Sequence, residues 1–149
     1  MRHINFFFGF LLILFSVSAS IFTVEPKVGM FVFSEANNRP FVSFSFETAR
    51  IEIPRFYLAV DIYSSSQKYY MLGFEGGVEL LFSKRPEKFI KASILAGTEG
   101  DRSFISPKLA AGILSHLAEA SNLVIGIEIW SGKLGFTLNL FAGVRFSFY

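Results

Sequence analysis

Residues 134–149 read LGFTLNLFAGVRFSFY, and their parity decides the fold. Leu134, Phe136, Leu138, Leu140, Ala142, Val144, Phe146 and Phe148 fall on one side, and Gly135, Thr137, Asn139, Phe141, Gly143, Arg145 and Ser147 on the other. Only a β-strand alternates its side chains this way. Strands in globular proteins run ~5–6 residues, whereas a tilted strand crossing a bilayer needs ~9–11. The length and the unbroken apolar side point to the closing strand of a transmembrane β-barrel, with even-numbered residues toward lipid and odd-numbered residues toward the lumen.

At the other end of the chain, Arg2 and His3 precede the apolar run FFFGFLLILF, and the small residues SVSAS follow. That order is the anatomy of a secretory signal peptide. The run is too short for a membrane-spanning helix, which needs ~20 apolar residues, so residues 1–20 are expected to be cleaved, after Ser20 or Ala19. Residues 21–149 then form one domain. Loss of Arg2 leaves 13 basic against 12 acidic side chains, a balance that gives no nucleic-acid footprint. There is no cysteine, which excludes disulfide scaffolds and thiolate metal sites.

Between these ends, short alternating stretches are separated by turn-rich clusters, the signature of an all-β chain. Eight strands are expected: Lys27 to Ser34, Phe41 to Thr48, Arg55 to Tyr63, Lys68 to Phe82, Phe89 to Thr98, Lys108 to Leu117, Leu123 to Trp130 and Leu134 to Tyr149. Between Ala49 and Pro54 the apolar parity reverses, and a turn or bulge at Pro54 resets it. Glu99 to Ser106 is the longest expected loop. Residues 108–122, KLAAGILSHLAEASN, also fit an amphipathic helix with Leu109, Ile113, Leu117 and Ala120 on one face. A strand followed by a turn over Ala118–Asn122 is preferred, because a lone helix would leave an odd strand count and an open wall.

The inward parity gathers Lys27, Arg55, Lys91, Lys108 and Arg145 against Glu47, Asp61, Glu75, Glu79 and Glu128. An eight-stranded barrel is just wide enough inside for side chains to fill, so these charges must pair or bear a desolvation cost of several kcal/mol each. Balanced charge among Gly, Ser, Thr and Asn implies a plugged, salt-bridged lumen rather than a diffusion pore. The structural charge network is expected to comprise Glu47, Asp61, Glu75, Glu79, Lys91, Glu128 and Arg145. The aromatics near strand ends, Tyr63, Tyr69, Tyr70, Phe82, Phe89, Trp130, Phe148 and Tyr149, suit a membrane interface.

A signal peptide, about eight alternating strands and a last strand ending in FAGVRFSFY together resemble the small bacterial outer-membrane barrels of the OmpA and OmpX type. The resemblance is architectural over the mature chain and specific only in the final strand. It implies an eight-stranded antiparallel up-and-down barrel in the outer membrane, in contact with its lipid. It also implies a C-terminal signal for the barrel-assembly machinery, carried here by Leu140, Ala142, Val144, Phe146, Phe148 and Tyr149. In that family the terminal aromatic continues the apolar register, whereas here Tyr149 is offset by one from it. With both termini periplasmic, the loops at Ser34–Pro40, Ser64–Gln67, Glu99–Ser106 and Ser131–Lys133 face outside.

Catalytic chemistry finds little support. His116 is the one histidine left after processing, with Ser115, Glu119, Ser121 and Asn122 nearby. Lipid A deacylases of this architecture use a His/Ser pair, but their His-x-Ser-Asn pattern is absent. His116 is expected to point inward and Ser121 to lie in a turn. Glu75 and Glu79 stand ~13 Å apart along one strand face, too far to share a proton or form a retaining carboxylate pair. No metal cluster, phosphate-cradling loop or nucleotide fingerprint is present. The expected role is therefore structural or interactive, without an enzymatic activity, cofactor or metal. Its rivals are an exported lipocalin-like barrel holding an apolar ligand and a lipid-modifying outer-membrane enzyme.

Overall fold

The computed structural model describes residues 20–33, 39–65, 69–83, 86–132 and 135–149. Eight strands follow one another in the chain: β1 (Ser20–Phe33), β2 (Arg39–Arg50), β3 (Arg55–Ser65), β4 (Tyr69–Phe82), β5 (Glu87–Glu99), β6 (Arg102–Ala118), β7 (Ser121–Gly132) and β8 (Gly135–Phe148). Each pairs antiparallel with its neighbours in sequence, and β1 pairs with β8, closing the barrel. Closure removes the free edges that an open sheet would present. The signal peptide expected over residues 1–20 lies, apart from Ser20, outside the described residues.

The wall follows the parity of the sequence. In β8, Thr137, Asn139, Phe141 and Arg145 are buried inside, while Phe136 is 53% exposed and Phe146 39% exposed on the outer surface. The same division runs through Val28, Val42, Phe44, Phe74, Ile94, Ile125 and Ile127, all exposed, against Lys27, Ser45, Asp61, Glu75, Glu79 and Glu128, all buried. Hydrophobic side chains thus coat the outside and charged ones fill the inside, the reverse of a soluble barrel.

Rings enter the narrow lumen where glycine makes room. Along one line of directly opposed residues the inward positions read Phe89, Gly112, Gly126, Phe141, Gly29 and Phe41 on β5, β6, β7, β8, β1 and β2. A Cβ on Gly126 would lie 2.8 Å from Cζ of Phe141, one on Gly112 2.8 Å from the Phe89 ring, and one on Gly29 2.5 Å from Cζ of Phe41. Each ring therefore occupies the volume its glycine neighbour leaves open. At the β1–β2 end of this row, Phe31, Phe41, Tyr63 and Trp130 continue as a chain of tilted rings with centroids 4.9, 5.5 and 5.2 Å apart.

Several expectations are corrected. Glu99–Ser106 is not a loop: Gly100, at φ 64°, and Asp101 form a two-residue turn, and β6 starts at Arg102. Gly in the first central position with positive φ fits a type II′ hairpin. Residues 108–118 are strand, paired to β5 and β7, so ladder closure overrides the local helix propensity. The turn expected over Ala118–Asn122 shrinks to Glu119–Ala120. The parity reversal before Pro54 is a turn over residues 51–54. Of the expected interfacial aromatics, Tyr63, Phe89 and Trp130 are buried in the lumen, whereas Tyr70, Phe82, Phe148 and Tyr149 are exposed; the Tyr69 side chain lies outside the described ones.

Replacing Gly126 by Val should drive the Phe141 ring out of its place and cost about 1–3 kcal/mol through overpacking. Urea unfolding followed by the fluorescence of the single, buried Trp130 reads this directly, and an unchanged midpoint would contradict the tight fit.

Candidate functional site

Strand alternation places the charges on the inner wall, and closure of the barrel brings them across it. Lys108, on β6, sits centrally: its Nζ lies 3.1 Å from Asp61 and 2.7 Å from Glu75, and 3.4 Å from Glu128. It also donates to the Tyr63 hydroxyl at 3.3 Å, which in turn donates to Glu128 at 2.7 Å. Glu75 further accepts hydrogen bonds from Tyr57 and, at 2.7 Å, from Ser93. On a second cation, Arg145 of β8, Nε donates to Glu25 at 2.5 Å and Nη1 to Glu79 at 2.9 Å.

Two lysines and a further arginine complete the mesh. Lys91 pairs with Glu47 and lies 3.8 Å from Glu79. Lys27 lies 3.6 Å from Glu25 and 3.9 Å from Glu128. Arg55 lies 3.7 Å from Glu79, with a side chain 23% exposed, so it marks the wet end of the network. Aromatic faces shield the cations: Lys27 is 4.9 Å from the Phe141 centroid, Lys91 4.5 Å from Tyr57, and Arg145 5.2 Å from Phe89.

Six of the seven residues of the expected network, Glu47, Asp61, Glu75, Lys91, Glu128 and Arg145, line one interior void together with Glu25, Lys27, Lys108 and Tyr57, and the seventh, Glu79, joins through Arg145 and Lys91. That void measures about 20 Å³, room for little more than water. The sequence reading omitted Glu25, which raises the carboxylates to six against five cations, and Glu99, buried nearer the opposite rim. The first strand, expected from Lys27, begins at Ser20 and runs through Pro26, which pairs with Phe44. The signal was present in Phe22-Thr-Val-Glu-Pro-Lys27, where Thr23, Glu25 and Lys27 share one parity. Tyr57 and Tyr63 carry the inward parity of Asp61 in the sequence and are buried beside the charges.

The other singled-out residues stand apart. His116 keeps the inward parity but emerges beyond Leu114 and is exposed, opposite Asn122 on β7; Ser121 lies in β7 rather than in a turn and pairs with Phe146. No group of three or more His, Cys, Asp or Glu among the described residues could hold a metal ion. Leu140, Ala142, Val144, Phe146 and Phe148 form the outward row of β8, and the Phe148 ring meets that of Phe22 across the β8–β1 seam at 6.4 Å. Tyr149 follows the strand and is exposed.

No family model matches the chain, and no curated protein matches it. Among solved structures, the crystal structure of the N-terminal β-barrel domain of Pseudomonas aeruginosa OprF is similar, with a TM-score of 0.62, 10% sequence identity, and coverage of 88% of this chain and 98% of that one. At this identity the likeness is one of fold: both chains are β-barrels of matching extent.

Replacing Lys108 by Met leaves Asp61, Glu75 and Glu128 facing one another and should cost about 3–5 kcal/mol. Arg55→Met, at the wetter end, should cost no more than about 1 kcal/mol. Urea midpoints of the two variants, measured side by side in detergent, check the order; equal values would show that Lys108 does not hold the network.

Proposed function

We propose that this chain is an integral protein of a bacterial outer membrane, a barrel whose role is structural or interactive, without bulk transport or catalysis. The observation that carries the reading is its inside-out distribution: an apolar outer wall around a buried, mutually paired set of charges. Apolar side chains on such a scale have no partner within the barrel, and acyl chains supply one. The closed ladder pairs every strand with a neighbour on both sides, as a span through hydrocarbon demands of its backbone. The fold likeness to the OprF barrel domain supports the same placement.

The lumen supports the absence of transport. Six carboxylates, five cations, two phenols and several rings occupy the interior, and the void of about 20 Å³ among them leaves room for little more than water. A ligand-binding barrel of the lipocalin kind would need the opposite arrangement, an apolar interior with room for a guest. For a lipid-modifying enzyme, His116 and Ser121 would have to meet, yet in the β6–β7 register it is Asn122, not Ser121, that faces His116. Outer-membrane lipid is the proposed surround of the wall, and the barrel-assembly machinery the proposed reader of Leu140, Ala142, Val144, Phe146, Phe148 and Tyr149 during biogenesis.

Two measurements test the reading. The folded protein should stay in the membrane fraction through carbonate washing and migrate on a cold detergent gel at a position that shifts on boiling. In planar bilayers it should give no steady conductance of porin size. Release by carbonate without detergent would overturn the membrane placement, and a stable open channel would overturn the plugged lumen.

A further inference from the structure

The inward side chains do not fill the lumen evenly along its height. Toward the rim of the β1–β2 and β3–β4 connections, the strands contribute nearly inaccessible side chains to a single layer. Phe31 of β1, Phe41 of β2 and Tyr63 of β3 touch ring to ring, and Tyr63 meets Trp130 of β7 with centroids 5.2 Å apart. β3 and β7 stand opposite each other in the closed order of strands, so this bar of rings crosses the full width of the lumen. Beside the bar, Met71 of β4 pairs with Tyr63, Leu95 of β5 with Ser106 of β6, and Asn139 of β8 with Phe31. None of these residues is more than 2% exposed. Leu95 also fills the space over Gly73, where a Cβ would stand 2.6 Å from its Cδ1.

The connected charges lie on one side of this layer. Lys108 reaches up to it, with Nζ 5.7 Å from the centroids of both Tyr63 and Trp130, and the Tyr63 hydroxyl donates down to Glu128. From there the side chains grow wetter toward the other rim: Lys108 is 4% exposed, Lys91 12% and Arg55 23%. Arg55 follows the turn that joins β2 to β3, at the rim where Ser20 pairs with Arg50. Water therefore reaches the charges from the rim that carries the chain ends. An ion arriving from the opposite rim meets the bar of rings instead, and an apolar constriction turns ions back because it cannot replace their water shell.

We infer that the layer built on Phe31, Phe41, Tyr63 and Trp130 is a one-sided seal. It closes the lumen to small ions from the rim of the β1–β2 hairpin, while the charges beneath it exchange water and small ions with the solution at the rim of the chain ends, through the Arg55 end. The two halves of the interior then do different work: the ion pairs fix how the strands are matched, and the rings make the barrier. This deepens the reading of a barrel without bulk transport, and it rests on that reading's membrane placement, because the two rims face separate solutions only in a bilayer.

The chain has no cysteine, so Ser45→Cys places a single thiol on the charged side of the layer, where Ser45 lines the interior void. Silver ion, a thiol reagent comparable in size to a water molecule, is added to one face or the other of vesicles that hold the mature barrel in a known orientation, and the thiol left unreacted is counted after unfolding. Flotation with the vesicles and heat-modifiable migration are scored first, so a chain that does not insert counts against the membrane placement and not against the seal. From the face of the chain ends silver should consume the thiol, and from the hairpin face it should do so roughly tenfold more slowly. Trp130→Ala, or Trp130→Leu where the first does not fold, should raise the rate from the hairpin face roughly tenfold and leave the other rate unchanged. Arg55→Met should leave the rate from the hairpin face as it is. The inference is overturned if the inserted barrel reacts as fast from the hairpin face as from the other, if it does not react from the face of the chain ends, or if shortening Trp130 leaves the hairpin-face rate where it was.

Discussion

Lys108 stands inside a wall too narrow to hydrate it, and three carboxylates on three other strands converge on its ammonium. The rest of the interior answers the same constraint. An eight-stranded barrel leaves space for side chains and little else, so a charge there cannot keep a water shell and must find its compensation across the lumen. Glu75 and Glu128 tie β4 and β7 to β6; Arg145 ties β8 to β1 and β4; Lys91 ties β5 to β2 and β4. Asp61 and Tyr63 bring in β3. Every strand of the barrel therefore contributes to one connected mesh, and a strand that slipped by one residue would turn its charges to the outside and strand their partners. The mesh contributes specificity of register more than net stability, because the desolvation of each ion offsets much of its attraction.

Glycine and aromatic rings solve the complementary problem of filling. Where ions do not occupy the lumen, Phe41, Phe89 and Phe141 lie over Gly29, Gly112 and Gly126. The same rings face the cations, so that Lys27 lies over Phe141 and Arg145 over Phe89. An aliphatic residue in place of those glycines would cost both the ring's position and the cation's neighbour. Sequence positions that look like weak points of the strands are thus what allows ions and rings to share one narrow cross-section.

Much of this was legible in the sequence because strand parity is a period of two and survives small errors in strand ends. Once Arg145 and Asn139 were placed opposite Phe146 and Leu140, the inner and outer faces of β8 followed, and the same rule sorted Glu75, Glu79, Asp61 and Glu128. What parity does not give is where a strand begins, and the omissions sit there. An expected first strand starting at Lys27 leaves out Glu25, and an expected loop over Glu99–Ser106 leaves out the first residues of β6, although Pro26 and Pro107 both lie within strands. Tyr63, Phe89 and Trp130 were assigned to the interface by their nearness to strand ends, although their parity with Asp61, Lys91 and Glu128 placed them inside. Cross-lumen pairing, such as Lys108 with Glu75, depends on how strands opposite in the barrel face each other, and no local pattern encodes it.

The two prolines show how one residue type does different things in one wall. Pro26 lies between Thr23–Glu25 and Lys27, and β1 carries its ladder past it on both sides, with Lys27 opposite Ser43 and Gly143. Pro107 lies near the end of β7, and beyond it no further β6–β7 rung follows among the described residues. The difference is the neighbour's length: β2 and β8 continue well beyond Pro26, but β7 has only Trp130, Ser131 and Gly132 left beyond its last rung. A missing donor within a long ladder is bridged by the rungs around it, whereas the same loss near a strand's end terminates the pairing. Among the described residues, the β6–β7 ladder therefore ends where Pro107 coincides with a short β7, and there the Ser131 N–H donates to the Ser106 hydroxyl at 2.9 Å instead.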